Sequence, residues 1–467
     1  MTDARSVLHR CLVVLVAVMS AARAEEACVL EPAKLRFDDD YGCFRDPENR
    51  DDFPGGIKLI PLDQDEQVFL SLGGEVRQRY EYTRDPLFGA DPQDDAGVWL
   101  QRYTLHGDLH LGPHLRVFGQ FSSALETGRA GAPSPVDENE LALQNAFVDL
   151  NLPLGPDADL TLRGGRQELQ FGSGRLVDVR EGPNVRRTVD AVRATVELPG
   201  WRVDALAARP RLPRPGVFDD EANDDQALWG VYAVGGEDWL PFGALDLYYL
   251  GFEDDAGAFA QGTARERRHS IGARFHGAER GWDWNWEAIY QFGSFGDGGI
   301  SAWTIASDTG FTFENRLWRP RIALSANIAS GDGDPSDADL GTFNALFPRG
   351  NYFSEAAVLG PRNFFNLHPF VTVRLTEVWS LTADMNFFWR LDTNDGVYAP
   401  AGQLIRGPSG SDERFVGSAF SLTSDYALTE KLSFTAIYTH FFAGDFIRST
   451  GPSDDIDFLE FTLQFKF

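Results

Sequence analysis

Apolar and polar residues alternate with a period of two from about residue 68 to the end of this chain. In the segment GWDWNWEAIY, Trp282, Trp284 and Trp286 fall on one face, while Asp283 and Glu287 fall on the other. Successive side chains of a β-strand point to opposite faces, so this spacing predicts strands rather than helices. The same alternation is clear in three further segments: SLGGEVRQRYEY, VWLQRYTLHGDLHLG and SLTADMNFFWR.

The connections between these segments alternate between tight and long. Tight links such as GPH at 112–114 and PG at 199–200 join pairs of strands. The long connections are rich in Asp, Gly and Pro and are expected near residues 127–140, 170–187, 211–226, 253–265, 331–363, 392–412 and 444–455. The sequence therefore predicts an all-β fold, a transmembrane antiparallel β-barrel of roughly 18 strands over residues 67–467, with short periplasmic turns and long extracellular loops.

The chain ends on such a strand, FLEFTLQFKF, with Phe467 as its last residue. Lipid offers no partner to an unpaired backbone group, so the last strand is expected to pair with the first and close the barrel. Phe461 and Leu463 then face lipid, while Glu460 and Lys466 face the lumen. A terminal aromatic residue after this alternation also suits the barrel-assembly machinery, which is an expected partner together with outer-membrane lipid.

The N-terminus has the composition of a secretory signal. Basic residues precede the short apolar run CLVVLVAVM, and an A-x-A cleavage site follows at residues 22–24. This pattern predicts a signal peptide over residues 1–24 and a mature protein in the outer membrane of a Gram-negative bacterium. Residues 25–66 are acidic and irregular, and are expected to form a periplasmic lead-in. Its cysteines, Cys28 and Cys43, are expected to form a disulfide in that oxidising compartment.

Charge and motifs exclude several classes of protein. The net charge of −28 argues against nucleic acid as a partner, because phosphate binding needs a basic face. The sequence has no Walker loop, no dinucleotide fingerprint and no G-x-S-x-G motif, so neither an enzyme activity nor a cofactor is expected. A barrel that serves as an enzyme or an adhesion platform remains an alternative of a different class.

Arginine recurs on the polar face of the predicted strands. Acids such as Glu75 and Asp283 are interleaved with it, so one interpretation is that these charges pair across strands and only build the wall. The other is that arginines without an acidic partner form a positive constriction, which selects anions. The predicted pore-lining arginines are Arg77, Arg79, Arg102, Arg163, Arg166, Arg193, Arg274, Arg321, Arg374 and Arg390.

Arginine is densest between residues 162 and 198. Strict alternation would turn Arg166 toward lipid, which is costly near the centre of a bilayer. We therefore expect a β-bulge at Gly164-Gly165 that returns Arg166 to the lumen. The segment after Phe171 is expected to be an arginine-bearing loop that folds into or over the pore, with a bare surface loop as the alternative.

The stretch LRGGRQELQFGSGRLVDVREGPNVRRT resembles the alginate-export family of outer-membrane proteins. The segments LQRYTLHGDLHLGPHLRVFGQ and GTFNALFPRGNYF are similar to that family as well, so the resemblance covers nearly all of the chain after the signal peptide. It implies an eighteen-stranded barrel whose arginine-rich lumen passes a polyuronate. Within the family's motif, Arg163 and Arg166 correspond to pore-lining cations.

The hypothesis that follows is an outer-membrane channel that passes an anionic polysaccharide, alginate or a similar polyuronate, through an arginine-lined pore. Export of a polymer would also involve partners in the periplasm. The alternative is an anion-selective porin for small solutes. Conductance with anion preference is expected for both channels.

One acidic loop, SGDGDPSDAD, offers hard oxygen ligands of the kind that bind Ca²⁺. The glycine and glutamate of an EF-hand loop are absent, so the main expectation is a solvated acidic loop without metal. The four carboxylates concerned are Asp332, Asp334, Asp337 and Asp339. A second alternative is a metal site in the lumen, since His106 and His110 fall on one strand face and His114 on the turn that follows.

Overall fold

A computed structural model describes residue 28 and residues 32–51, 53–94, 96–236, 240 and 242–467. In this part of the chain, 18 antiparallel strands of 9 to 18 residues close into a barrel. In chain order they are β1 (Val68–Arg84), β2 (Val98–Leu111), β3 (Leu115–Thr127), β4 (Asn139–Gly155), β5 (Ala158–Gln167), β6 (Val189–Leu198), β7 (Trp201–Leu212), β8 (Gln226–Gly235), β9 (Ala244–Phe259), β10 (Gly262–Glu279), β11 (Trp282–Phe295), β12 (Gly298–Thr312), β13 (Arg321–Ala329), β14 (Phe364–Thr376), β15 (Trp379–Trp389), β16 (Phe415–Ala427), β17 (Leu432–Ala443) and β18 (Ile456–Lys466). The predicted signal peptide lies outside the described residues.

The barrel closes between its first and last strands. β1 pairs with β2 on one side and with β18 on the other, in a register that places Glu75 opposite Lys466 and Tyr80 opposite Phe461. The ladder continues to the last residue, because Gly74 and Phe467 exchange backbone hydrogen bonds of 3.0 and 3.1 Å. The predicted pairing of FLEFTLQFKF with the first strand is therefore correct, and its backbone groups find partners without water.

Most of the connections have the predicted asymmetry. Turns such as 199–200 and 280–281 lie at the end where both termini lie, and long loops such as 168–188 and 330–363 lie at the other. The prediction of a long loop over residues 253–265 was wrong. β9 runs on to Phe259 and β10 begins at Gly262, so a two-residue turn joins them, and the pairing shifts register only between Asp254 and Gly257. Short turns mark the periplasmic end of such a barrel.

The two faces of each strand divide as the alternation predicts. Large apolar side chains such as Ile271, Tyr290 and Trp303 are exposed on the outer surface, where lipid covers them in a membrane. Polar side chains such as Gln291 and Asp108 point inward and are buried. They are buried because the lumen is filled by segments of the chain, and not because the barrel is narrow.

Short elements complete the fold. They are the 3₁₀ turns Arg36–Asp38, Gly42–Arg45 and Pro47–Arg50, the helical turns Gly55–Lys58 (α1), Pro86–Gly89 (α2) and Asp445–Thr450 (α3), and the two- or three-residue strands Ile60–Pro61, Glu221–Ala222, Val397–Tyr398 and Leu404–Arg406. None of the helices in the described part of the chain has the length and apolarity that crossing a bilayer requires.

The connection between β5 and β6, residues 168–188, folds into the lumen, and we refer to it as the constriction loop. Phe171 stacks on the inward ring of Tyr232 with ring centroids 4.9 Å apart. Ser173 donates a hydrogen bond of 3.0 Å to Glu287, and Arg175 forms an ion pair of 3.0 Å with the same carboxylate. The loop thus reaches from β5 across to β11, and the hypothesis that it folds into the pore is supported over a bare surface loop.

The segment before β1 also enters the barrel, from the periplasmic end. Phe37 packs edge-on against two inward rings, Phe118 at 5.8 Å and Phe147 at 5.2 Å between centroids. Cys28 and Cys43 form a disulfide with Cα atoms 5.6 Å apart. The sequence placed this segment in the periplasm as an irregular lead-in, whereas its first part lies in the mouth of the lumen. An irregular acidic composition gives no periodicity from which that position could be predicted.

Candidate functional site

Three arginines of β1 and β2 hold the constriction loop. Arg102 is fully buried and bridges Glu75, at 2.7 Å, and Glu181 of the loop. Arg77 donates to the carbonyl oxygen of Glu181 at 3.0 Å and to the side-chain oxygen of Asn184 at 3.1 Å. A buried guanidinium with its fork of donors suits such a clamp, because each donor must find an acceptor once water is removed.

Arg79 completes the clamp. Its guanidinium forms ion pairs with Glu81 at 2.6 Å and Glu460 at 2.5 Å, and it donates to the carbonyl oxygen of Gly182. All three arginines face inward, as predicted. Most of their donors are nevertheless occupied by the loop and by acids, so they fix the loop in position rather than line open space.

Other inward arginines are paired with aspartates on the adjacent strand or, for Arg321, on the next strand but one. Arg163 binds Asp149 through two hydrogen bonds of 2.7 and 2.8 Å, and its guanidinium lies 3.9 Å from the ring centroid of Phe147. The other predicted arginines with such partners are Arg193 with Asp204 at 2.9 Å, Arg274 with Asp246 at 2.8 Å, and Arg321 with Asp283 at 2.5 Å. A bidentate pair has little net charge left with which to attract a solute.

A different environment lies at the extracellular end of the lumen. A cavity of about 520 Å³ opens between the constriction loop, the ends of β3, β4 and β7, and the loops after β13 and β15. We refer to this cavity as the vestibule. Among the described residues, Asp220 is the single carboxylate in its lining, against five arginines. These are Arg180, Arg186, Arg187, Arg211 and Arg214.

Two vestibule arginines have no carboxylate partner among the described residues. Arg187 donates to the carbonyl oxygen of Asp178 at 3.2 Å and lies 5.1 Å from the ring centroid of Phe347. Arg180 donates to the carbonyl oxygen of Val185 at 3.2 Å. Burial lowers the pKa of Arg187 to about 9, with the neighbouring charge of Arg180 adding to the effect, and lowers the pKa of Arg180 to about 10. Both remain cationic at neutral pH.

The other three vestibule arginines are partly neutralised. Arg186 forms ion pairs with Glu168 at 2.7 Å and with Glu181 at 2.8 Å. Arg211 pairs with Asp190 at 3.1 Å, and Arg214 with Glu221 at 2.9 Å. Unpaired, desolvated guanidinium groups bind carboxylates strongly, so Arg180 and Arg187 are the candidates for anion binding in this cavity. Neither was among the predicted site residues, although the arginine density of the loop was the signal that pointed to them.

Comparison with known proteins agrees with this architecture. The sequence model described as "Alginate export" matches residues 68–458, which are most of the chain. The chain belongs to the alginate export family. It is therefore an outer-membrane channel of a Gram-negative bacterium, since the family and the barrel fold are those of transport channels. No curated protein matches this family member at a significant level.

Solved structures similar to this alginate export family member are outer-membrane porins. OccD3 (OpdP) of Pseudomonas aeruginosa shares 13% identity at a TM-score of 0.57 and covers 88% of this chain and 93% of its own. OccAB1 of Acinetobacter baumannii shares 11% identity at a TM-score of 0.57, with 88% and 98% covered. OccK2 (OpdF) of Pseudomonas aeruginosa, solved in complex with glucuronate, shares 12% identity at 0.53, with 88% and 98% covered. At these identities the likeness establishes the fold.

Arg166 does not line the pore of this family member. The pairing of β5 with β4 and β6 continues without a shift through Gly164 and Gly165, so the predicted bulge is absent. Arg166 lies opposite Asp190, with which it forms an ion pair of 3.0 Å, on the same face as the exposed side chain of Val192. The ion pair with Asp190, and not a bulge, accommodates the charge of Arg166 on the outer wall.

Arg374 and Arg390 also lie apart from the predicted constriction. Arg374 is exposed near the periplasmic end of β14, where it has no ion-pair partner among the described residues. Arg390 is buried directly after β15, donates to the carbonyl oxygens of Asp395 and Ser411, and lies 3.7 Å from the ring centroid of Phe446. It stabilises an extracellular loop, because its donors form hydrogen bonds with carbonyl oxygens of that loop.

The aspartates of the acidic loop bind their own backbone. Asp332 accepts from the amide of Asp334, Asp334 accepts from Ser336, and Asp337 accepts from the amide of Asp339. Asp339 accepts from the amide of Gly299 on β12. In the part of the chain that the structure describes, no group of three or more His, Cys, Asp or Glu is arranged to hold a metal ion, at this loop or at the lumen histidines.

Proposed function

We propose that this channel conducts acidic saccharides, with an alginate-like polyuronate as its substrate, and that a uronate carboxylate binds Arg180 and Arg187 in the vestibule. The observation that carries the proposal is the pair of guanidinium groups without carboxylate partners in an open cavity of about 520 Å³. A planar carboxylate matches the fork of donors on a guanidinium. Membership of the alginate export family supports a carboxylate-bearing polymer as the ligand.

The paired arginines suit the rest of the pathway. A carboxylate that moves along the wall has to compete with Asp149 for Arg163 or with Asp204 for Arg193, so each such site is weak. Conduction needs binding that is strong enough to admit a solute and weak enough to release it. One strong site followed by several weak ones meets that requirement for a chain with a carboxylate on every sugar.

A small anionic solute is the second candidate, because the lumen is largely filled. The constriction loop crosses the interior from β5 to β11, and the vestibule lies above it. A cavity of about 520 Å³ is in the range of sites for single small molecules, about 300–1,000 Å³. The glucuronate bound to the structurally similar OccK2 is a solute of this size and charge.

The test is block of ion current through the purified channel in a planar bilayer. Polyuronate oligomers, neutral dextrans of matched length and monomeric glucuronate are added separately to each side. A polymer channel is expected to be blocked by polyuronate at concentrations where dextran has no effect, with residence times that grow with oligomer length. Block by glucuronate alone would favour the small-solute porin, and equal block by dextran would contradict both.

A further inference from the structure

We refer to residues 32–51 as the plug, because the first part of this segment occupies the periplasmic mouth of the lumen. Besides Phe37, the plug contributes Leu35 to an apolar cluster with Phe118, Phe147 and Val179. Arg116 of β3 donates to the carbonyl oxygen of Phe37 at 2.6 Å. The side chain of Phe37 is almost completely buried, so the plug packs directly against the inner wall of the barrel.

The plug meets the constriction loop inside the barrel. Lys34 forms an ion pair of 2.5 Å with Asp178 of the loop, and Arg186 of the loop donates to the carbonyl oxygen of Lys34 at 2.7 Å. Val179 of the loop belongs to the same apolar cluster as Phe37. One segment enters from the periplasmic end and the other from the extracellular end, and they meet at these contacts.

The chain that follows the plug is fixed to the barrel. Ile60 and Pro61 pair with Leu70 and Phe69 of β1. Lys58 is fully buried and donates to the carbonyl oxygen of Leu72 at 2.9 Å. The plug is therefore tethered at one end by a short ladder, while the rest of its contacts are side-chain contacts.

Those contacts comprise two apolar clusters, one around Phe37 and one around Tyr41 and Phe44, and a set of polar contacts. Arg36 donates hydrogen bonds to the backbone carbonyl oxygens of Gly74 at 3.0 Å and Phe467 at 2.9 Å, where the first and last strands pair. The Lys34–Asp178 pair is partly exposed, since Lys34 keeps 36% of its side-chain surface. Among the described residues, no backbone–backbone hydrogen bond joins the plug to a barrel strand, so the plug can leave the lumen without opening the ladder of the barrel.

We propose that the plug is a periplasmic gate, which closes the lower lumen when it is seated against Phe118, Phe147 and the constriction loop, and opens the channel when it swings out on its tether at residues 55–61. The disulfide joins Cys43 of the plug to Cys28. The gate acts on any ion that passes, and its test is therefore independent of which saccharide the channel carries.

The experiment locks the gate to the loop. In the Lys34→Cys/Asp178→Cys variant, a short bismaleimide joins the two positions whose side chains form the ion pair. Cys28 and Cys43 are joined to each other and do not react, so the wild-type protein and the Lys34→Cys single variant treated with the same reagent are matched controls. The readout is KCl conductance in planar bilayers, with heat-modifiable mobility in gels as the check that each barrel is folded.

The cross-linked variant is expected to show a several-fold lower mean conductance than the singly labelled control. A Phe37→Ala variant, which removes the ring seated between Phe118 and Phe147, is expected to show a several-fold higher conductance than wild type. Equal conductance of the cross-linked and singly labelled proteins would overturn the gate. An unchanged conductance for Phe37→Ala in a folded barrel would overturn it as well, because the seated ring would then close nothing.

Discussion

The wall of the lower lumen and the vestibule are both rich in arginine, but they differ in what surrounds each guanidinium. In the wall, Arg163 and Arg193 are each held by an aspartate on the neighbouring strand. In the vestibule, Arg180 and Arg187 donate to backbone carbonyls and have no carboxylate partner among the described residues. An arginine is thus a structural element of the wall in one place and part of the proposed anion site in the other. The difference is set by the partner and not by the residue type.

The constriction loop connects the two regions. Its Glu181 neutralises Arg102 and Arg186, while its Arg180 and Arg187 supply the free positive charge above. The position of the anion site therefore depends on the clamp that holds the loop. Variants that change the clamp, the free cations and the outer wall should have effects of decreasing size.

The largest effect is expected from Arg102→Ala. It leaves Glu75 buried without its cation, and breaking a buried pair in this way costs about 3–5 kcal/mol. The folded barrel should lose heat-resistant mobility in gels at a lower temperature, and the released loop should raise the conductance. An Arg102→Ala/Glu75→Gln variant should recover part of the stability, because no unpaired buried charge remains at that position. An unchanged melting temperature for Arg102→Ala would show that the clamp does not stabilise the barrel.

An intermediate effect is expected from Arg180→Gln/Arg187→Gln. Hydrogen bonds to charged groups contribute substantially to the free energy of binding. Block by glucuronate should therefore weaken by about ten-fold or more. The matched control is Arg163→Gln/Asp149→Asn, which also changes two side chains but removes a neutral pair, and its block should change little. The comparison between the two regions fails if both double variants lose block to the same extent.

The smallest effect is expected from Arg166→Gln. Its side chain lies on the outer face with Asp190, so the change should leave the conductance and the ion selectivity at their wild-type values. The measurement is the reversal potential in a salt gradient. A shift toward cations would place Arg166 in the pore and support the bulge that was predicted at Gly164-Gly165.

Much of the fold could be predicted from the sequence, because alternation reports directly on a wall with lipid on one side. Closure of FLEFTLQFKF onto the first strand follows from the need to pair every backbone group in lipid. Residues 253–265 were misassigned because β9 and β10 extend beyond the membrane, where the outward residues Glu253 and Arg267 form an ion pair instead of an apolar belt. Alternation in apolar residues stops there, although the strands do not.

The roles of individual arginines could not be predicted to the same extent. The alternation shows on which face of a strand a side chain lies, but it does not show which residue that side chain contacts. Arg77 of the clamp and Arg163 of the wall therefore look alike in the sequence. At Gly165 the glycine has φ +134°, and a Cβ there would lie 2.3 Å from the carbonyl oxygen of Ala146. The glycine is required by the close approach of strands and not by a bulge, a distinction that the sequence does not carry.

The most direct test of the central claim is the reversal potential of the wild-type channel across a bilayer with a KCl gradient. The vestibule places two unpaired guanidinium groups in the pathway, so the account predicts a potential that reports preference for chloride. The net charge of −28 for the whole chain would by itself favour potassium. A potential that reports cation preference would contradict the account, because the charge of the chain and not the free cations of the vestibule would then govern passage.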